Sequence, residues 1–176
     1  MAELDYDVLY SSYDELYRGE QFAKYSAALS SIGNIRGLIL DAGCGTGLFY
    51  EYLRRSMVDN RFEYFGVDKS LNMLRRARAR IDEQAHLMAA CVELMPFRSD
   101  IFSYIFSFTV FHEVDIDKAL TEIRRIGVCG AYVVISLLKK VEAGKVLDKC
   151  REVGVELSGV VEDDDLKDLI FVFRCR

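Results

Sequence analysis

The sequence lacks the features that mark multidomain and membrane proteins. It contains one proline among 176 residues, and no stretch rich in proline, glycine and serine could act as a linker between domains. Its longest apolar run, residues 101–111, is too short to cross a bilayer and includes Ser103, Ser107 and Thr109. We therefore expect a single domain over residues 1–176, with no membrane contact; domains average roughly 150 residues.

The cysteines are also few, and they are scattered. None of the five belongs to a CxxC pair, which argues against a zinc site or a disulfide framework, so we expect no metal. The first residues carry neither the basic region nor the apolar region of a signal peptide, and we expect a cytoplasmic protein. The net charge of −5 excludes a strongly basic nucleic-acid footprint over the whole chain but leaves room for a local patch.

Apolar patterns predict strands and helices that alternate along the chain. Strands are predicted over residues 37–41, 62–67, 86–90, 101–108, 131–138, 155–161 and 169–173. Helices are predicted over residues 48–55, from Ser70 to about 81, from Asp115 or Asp117 to 126, and over 142–153. The second helix has Ser70 as its expected N-cap and a predicted buried stripe of Leu71, Leu74, Ala77 and Ile81.

This order predicts an α/β fold with a doubly wound, mostly parallel, seven-stranded sheet. The link between the last two predicted strands is too short for a crossover helix, so we expect an antiparallel C-terminal strand. Ligands of such sheets bind outside the carboxyl ends of the parallel strands. The residues that end these strands are therefore the candidates for a functional site.

A glycine-rich turn follows the first strand. Gly43, Gly45 and Gly47 lie between a strand and a helix, where glycine permits a positive φ and a close approach of a ligand to the backbone. The dinucleotide fingerprint needs a glycine where Leu48 stands, and a P-loop needs a lysine that is missing. The carboxylate of Asp41, just before the turn, suits a cation better than a pyrophosphate. The alternative is a tight turn with no ligand.

A second carboxylate, Asp68, ends the second strand. It lies 21 residues after Gly47, where an acidic group can accept hydrogen bonds from both hydroxyls of a ribose. The alternative is a purely structural role as a cap of the following helix, although Ser70 already fits that role.

Four segments together resemble the motifs of class I (Rossmann-like) S-adenosylmethionine-dependent methyltransferases with a methyltransferase type 11-like domain. The segments are residues 40–47 (LDAGCGTG), 66–74 (GVDKSLNML), 93–97 (ELMPF) and 107–114 (SFTVFHEV). Their order and spacing agree with that family from about residue 37 to 138. The resemblance implies S-adenosylmethionine as cofactor and methyl transfer to an unidentified acceptor, which is a protein, an RNA or a small molecule.

The resemblance also assigns roles to individual residues. It places Asp41 near the ammonium of the cofactor, the 43–47 loop with Cys44 under its amino-acid end, and Asp68 on the ribose. The other implied cofactor contacts are Lys69, Met73, Cys91 and Val92 at the adenine and Ser107 and Phe108 near the sulfonium. The sequence departs from the family at Cys91, where an acidic residue often accepts from the adenine amino group, so we expect looser adenine recognition or a substitute contact.

The N-terminal segment, residues 1–30, is rich in tyrosine. Residues 11–17 (SSYDELY) resemble the lead-in that folds over the cofactor in many of these enzymes, and we expect a helical lid over residues 1–30. Tyr13 and Tyr17 are the best candidates for cofactor or substrate contact, with Lys24 and Tyr25 as weaker ones. The alternative is that the tyrosines cover the edge of the sheet as ordinary packing.

Catalytic residues and partners are less defined. His112 and Tyr13 are weak catalytic candidates, because the sulfonium is already activated and alignment can suffice without a general base. The arginines at 75, 76, 78 and 80 form either a solvated helix face, which we favour, or an RNA-facing patch. The chain lacks an inserted cap, so a small acceptor would need the N-terminal segment to build most of its pocket. A macromolecular substrate or a small partner subunit would instead supply the missing walls. The competing hypotheses are a non-catalytic, cofactor-binding subunit and a nicotinamide oxidoreductase.

Overall fold

The computed structural model describes residues 13–57, 61–140 and 143–176, with side chains described from residue 17 onward. These ranges contain five helices and seven strands. The helices are α1 (Tyr13–Ile32), α2 (Leu48–Ser56), α3 (Leu71–Arg80), α4 (Ile116–Ile126) and α5 (Gly144–Glu152). The strands are β1 (Gly37–Ala42), β2 (Phe62–Asp68), β3 (Ala85–Ala89), β4 (Phe102–Phe108), β5 (Gly127–Leu138), β6 (Val155–Val161) and β7 (Asp168–Cys175). None of the helices in these ranges is long and apolar enough to cross a membrane.

The strands form one sheet in the order β3-β2-β1-β4-β5-β7-β6. All pairs from β3 to β5 are parallel, whereas β7 runs antiparallel to both β5 and β6. The doubly wound sheet and its reversed C-terminal strand are therefore confirmed. β5 begins at Gly127 rather than at residue 131, because its first residues already pair with the start of β4.

The sheet is buried on both faces, as expected for central parallel strands. Ile105 and Phe106 are adjacent in β4 and fully buried, and they belong to opposite hydrophobic clusters. One cluster includes Leu120 of α4, and the other includes Leu53 of α2 and Ala28 of α1. Helices thus cover both faces of the sheet and leave the ends of the strands open.

The helix starts follow the predicted capping chemistry. The Ser70 hydroxyl accepts a hydrogen bond from the Met73 backbone N–H at 3.3 Å and caps α3, and Asp115 rather than Asp117 caps α4. The predicted buried stripe of α3 was wrong at Leu71, which is 58% exposed. Met73 is buried instead, because it shares one face of the helix with the buried Ala77, four residues later.

Candidate functional site

A cavity of about 300 Å³ lies at the carboxyl ends of β1, β2 and β4. Its volume is at the lower limit of small-molecule sites. The structure brings eight of the sequence-predicted residues to its walls. They are Gly43, Gly45, Asp68, Lys69, Met73, Cys91, Val92 and Phe108. The predicted location of a site at this edge thus corresponds to a real cavity.

The remaining candidates lie behind or beside these walls. Ser107 is fully buried, and its hydroxyl donates to the Ala42 carbonyl oxygen at 2.9 Å, which ties β4 to β1. Cys44 is buried, and burial raises the pKa of its thiol well above the ordinary value. Gly47 precedes α2 with a φ of 77°. Tyr17 is half-buried, and the side chain of Tyr13 lies outside the described residues, as do residues 1–12 of the predicted lid.

The glycine loop has the backbone that its sequence predicts. Gly43, Gly45 and Gly47 all have positive φ, a conformation that side chains strongly disfavour. A Cβ at Gly43 would lie 2.3 Å from a methyl carbon of Val110, whereas a Cβ at Gly45 would meet nothing within 4 Å. Gly43 therefore permits close packing of the loop against the residues after β4. Gly45 leaves backbone open toward the cavity.

Asp68 connects the glycine loop to the start of α3. One of its carboxylate oxygens accepts from the Gly45 N–H at 2.8 Å, and the other accepts from the Ser70 N–H at 2.8 Å. Burial raises the pKa of Asp68, and these two N–H donors oppose that rise. Each oxygen keeps a further lone pair, so the carboxylate can fix the loop and still accept from a ligand in the cavity.

Asp41 lies deeper than the cavity wall. It is 2% exposed, and its carboxylate accepts from the Tyr64 hydroxyl at 2.5 Å. Burial raises the pKa of Asp41 to about 7, the charge of Asp68 adds to the rise, and the Tyr64 hydrogen bond opposes it. Asp41 is not among the residues that line the cavity.

The charged side chains that line the cavity are predominantly acidic. Asp68, Glu93 and Glu113 line it together with one lysine, Lys69, whose ammonium lies 3.5 Å from a Glu113 oxygen. This balance favours a ligand that carries positive charge. His112 points an imidazole nitrogen toward Glu113 at 3.7 Å but is not among the lining residues. In the part of the chain that the structure describes, no cluster of His, Cys, Asp and Glu side chains could hold a metal ion.

Sequence reasoning missed a polar wall of the cavity at Thr109. This β-branched residue has a φ of 59°, a strained left-handed conformation that is rare for its side-chain type. Its hydroxyl donates to an Asp168 oxygen at 2.8 Å, and its N–H donates to the Ser136 hydroxyl oxygen at 2.9 Å. Asp168 is the first residue of β7. Because β7 is antiparallel to β5, this residue lies at the side of the sheet where β4 and β5 have their carboxyl ends.

Behind Thr109 lies a buried ion pair. Lys24 of α1 is 1% exposed, and its ammonium contacts the Thr109 hydroxyl at 3.0 Å and the fully buried carboxylate of Asp168 at 3.1 Å. Glu20 provides a third acceptor at 3.1 Å, which matches the three protons of the ammonium. Lys24 was a weak sequence candidate for ligand contact, and the structure places it behind the wall.

The tyrosine at the centre of α1 packs against the same wall. Tyr25 is 5% exposed, and its ring centroid lies 4.7 Å from that of Phe108 and 4.9 Å from that of Phe49. For Tyr25 this geometry favours the packing alternative. α1 therefore supports Phe108 and Thr109 from the side opposite the cavity.

Known proteins share both sequence and fold with this chain. The family model for the methyltransferase domain matches residues 40–135. An uncharacterized methyltransferase of Geobacillus thermodenitrificans is 26% identical over 135 residues, which cover 74% of this chain and 60% of that protein. The chain spans about half the length of the curated relatives it matches.

Two solved structures share the fold of this chain. A SAM dependent methyltransferase from Aquifex aeolicus superposes with a TM-score of 0.84 at 21% identity, covering 99% of this chain and 100% of that one. A Haloferax volcanii protein described as a methyltransferase was solved in complex with the Trm112 methyltransferase activator. It superposes with a TM-score of 0.77 at 16% identity, covering 99% of both chains.

Proposed function

The chain belongs to the methyltransferase domain family, and we propose that it transfers a methyl group from S-adenosylmethionine to an acceptor molecule. The observation that carries this proposal is the contact between Asp68 and Gly45 at the cavity wall. It joins a carboxylate suited to a ribose diol to an open glycine backbone suited to an amino-acid group. A nicotinamide oxidoreductase is disfavoured by Leu48, which replaces a glycine of the dinucleotide fingerprint.

The lining fits the chemistry of this cofactor. Asp68 would accept from the ribose hydroxyls, and Gly43 and Gly45 would let the amino-acid end approach the backbone. Met73 and Val92 would enclose the adenine, with the Val92 N–H as a donor and Lys69 at the flank. Phe108 would lie near the sulfonium, whose positive charge suits the acidic lining. Asp41 would act on the ammonium through its field, because it is buried behind the loop.

Adenine recognition should be weaker than in relatives with an acid at position 91. Cys91 is exposed and lines the cavity, and a thiol accepts hydrogen bonds poorly. Glu93 is already engaged, because one of its oxygens accepts from the Asp115 N–H at 3.0 Å. We therefore expect the ribose and the loop to provide most of the binding free energy.

When bound, the cofactor supplies an activated methyl group for in-line displacement. The chain has to align the acceptor and exclude water, and it does not need an obligatory acid–base pair. α1 supports Phe108 and Thr109 from behind, whereas a lid over the cavity formed by residues 1–30 stays a prediction from the sequence. Tyr17 and Tyr13 remain the candidates for contact on that side, and His112 beside Glu113 remains a weak candidate for a base.

The cavity has room for little beyond the cofactor, so the acceptor or a partner subunit would provide further walls. The complex of the Haloferax volcanii neighbour with an activator supports a small partner subunit for this chain too. A non-catalytic, cofactor-binding subunit is the second candidate, favoured by Cys91.

Titration calorimetry with S-adenosylhomocysteine tests the proposed site. Asp68→Ala should weaken binding by about 1–3 kcal/mol, because the buried ribose hydroxyls lose their acceptor. The exposed Asp165→Ala serves as the matched control and should bind like the parent chain. Equal affinities of the two variants would remove Asp68 from the site. A methyl-label transfer assay with fractionated RNA, protein and metabolites then separates the two candidates, since binding without any transfer favours the non-catalytic subunit.

A further inference from the structure

Thr109 differs from the other residues that line the cavity in its backbone conformation. Its φ is 59°, a left-handed value that is rare for a β-branched residue. Within the described ranges, Asp100 is the other non-glycine residue with a positive φ, but it lies in an exposed loop, and aspartate tolerates this conformation. The strain at Thr109 therefore points to a constraint that acts on this residue from its surroundings.

Buried polar groups hold Thr109 from behind. Its hydroxyl donates to an Asp168 oxygen at 2.8 Å and lies 3.0 Å from the Lys24 ammonium, and its N–H donates to the Ser136 hydroxyl oxygen at 2.9 Å. Ser136 in turn donates to the same Asp168 oxygen at 2.8 Å. Lys24, Ser136 and Asp168 are each at most 1% exposed, and we call these three side chains the clamp. Water cannot compete for these hydrogen bonds, so the clamp fixes the conformation of Thr109.

The clamp determines which polar atom of Thr109 is left for the cavity. Its hydroxyl and its N–H are both bound to the clamp, whose members are not among the residues that line the cavity. Its carbonyl oxygen accepts none of the hydrogen bonds found among the described residues. A carbonyl dipole that is fixed in advance stabilises a positive charge placed before it and adds little for a neutral group.

We propose that Thr109 is a specificity-determining residue, whose carbonyl group favours the charged sulfonium of S-adenosylmethionine over the neutral thioether of S-adenosylhomocysteine. The inference rests on the proposed methyl transfer, which places the neighbouring Phe108 near the sulfonium. Lys24, Ser136 and Asp168 are positioning residues, because they act on the cofactor through Thr109. The consequence for the reaction is weaker retention of the product, since the product lacks the charge that the carbonyl group stabilises.

Three single variants separate the hydroxyl of Thr109 from its backbone conformation. Thr109→Ser, Thr109→Gly and Thr109→Ala all lack the γ-methyl group, so they lose the same apolar contact. Serine keeps the hydroxyl that the clamp binds. Glycine loses the hydroxyl but adopts a positive φ without strain, whereas alanine loses the hydroxyl and disfavours this φ.

Calorimetry with S-adenosylmethionine and with S-adenosylhomocysteine gives two dissociation constants for each variant, and their ratio is the measurement. Partial unfolding weakens the apparent binding of both ligands by the same factor, so the ratio does not respond to a loss of stability. Thr109→Ala should shift the ratio toward the thioether by about fivefold or more, because an interaction with a charged group is worth about tenfold in affinity and misalignment loses part of it. Thr109→Ser and Thr109→Gly should stay within about twofold of the parent ratio.

Val114→Ala is the matched control. It removes apolar contact from the same cavity and keeps Thr109 and the clamp unchanged, so it should leave the ratio as it is in the parent chain. The inference is overturned by a parental ratio in Thr109→Ala, or by a shift in Thr109→Gly or Thr109→Ser that equals the shift in Thr109→Ala. These results leave the proposed methyl transfer intact, because that proposal is tested by the binding of S-adenosylhomocysteine to the parent chain and to Asp68→Ala. A parent chain that binds neither ligand would overturn both proposals.

Discussion

Replacing Lys24 by methionine removes the cation of the buried pair and leaves the Asp168 carboxylate without a counter-charge. Asp168 is fully buried, and one of its oxygens has no hydrogen-bond partner among the described residues. Removing one member of a buried ion pair costs about 3–5 kcal/mol, because the remaining charge stays desolvated. That is a large fraction of the roughly 5–15 kcal/mol that stabilise a typical domain.

Urea denaturation measures this loss of free energy directly, and thermal unfolding measures it as a shift in Tm. For a chain of this length, 1 kcal/mol corresponds to about 2–4 °C in Tm, so Lys24→Met should lower Tm by about 6–20 °C. Lys167 provides a matched control. It pairs with Glu20 at 2.6 Å, as Lys24 does at 3.1 Å, but its side chain is 70% exposed. Lys167→Met should cost at most about 1 kcal/mol.

A double variant separates the charge effect from lost packing. Asp168→Asn in the Lys24→Met background removes the uncompensated charge and keeps an oxygen that accepts from Thr109 and Ser136. It should recover about 2 kcal/mol or more of the loss. The reasoning would be refuted by equal losses in Lys24→Met and Lys167→Met, or by a double variant no more stable than Lys24→Met alone.

Three further variants probe the cavity and its loop. Gly43→Ala should abolish binding of S-adenosylhomocysteine in calorimetry, because its Cβ would lie 2.3 Å from a methyl carbon of Val110. Adding Val110→Ala to this variant should partly restore binding. Equal binding by Gly43→Ala and Gly45→Ala would contradict this reasoning. Because burial raises the pKa of Asp41 to about 7, the folded protein keeps a proton that the unfolded chain releases above about pH 4. The free energy of unfolding should therefore fall as pH rises from about 4 to 7. Denaturation curves measured across this range should show a flatter dependence of that free energy on pH for Asp41→Asn. An unchanged dependence would rule out Asp41 as its origin. Cys91→Asp should tighten S-adenosylhomocysteine binding several-fold by adding an acceptor for the adenine amino group, and weaker binding would place the adenine elsewhere.

Local chemistry made much of the fold predictable. The positive φ values of the glycine loop, the Ser70 cap and the antiparallel last strand all follow from residue type or from link length. The same reasoning located the cavity, because the ends of parallel strands converge at one edge of a sheet. It was wrong at Leu71, because periodicity gives the spacing of a helical stripe but not the rotation of the helix about its axis.

The polar wall could not be predicted in this way. Lys24 and Asp168 are far apart in sequence, and nothing in the residues around either one indicates burial. Their contact depends on the packing of α1 and on the sheet position of β7, which only the assembled fold determines. The strained backbone of Thr109 is a further consequence of that packing and has no sequence signal.

The position of β7 between β5 and β6 has a consequence for folding order. β6 lies at the edge of the sheet and pairs with β7, so it cannot join the sheet until residues 168–175 have been synthesised. A nascent chain that ends after β6 would expose the free edge of β5, which invites pairing with other chains. We expect the β6–β7 hairpin to form first, from local contacts, and to dock onto β5 as a unit.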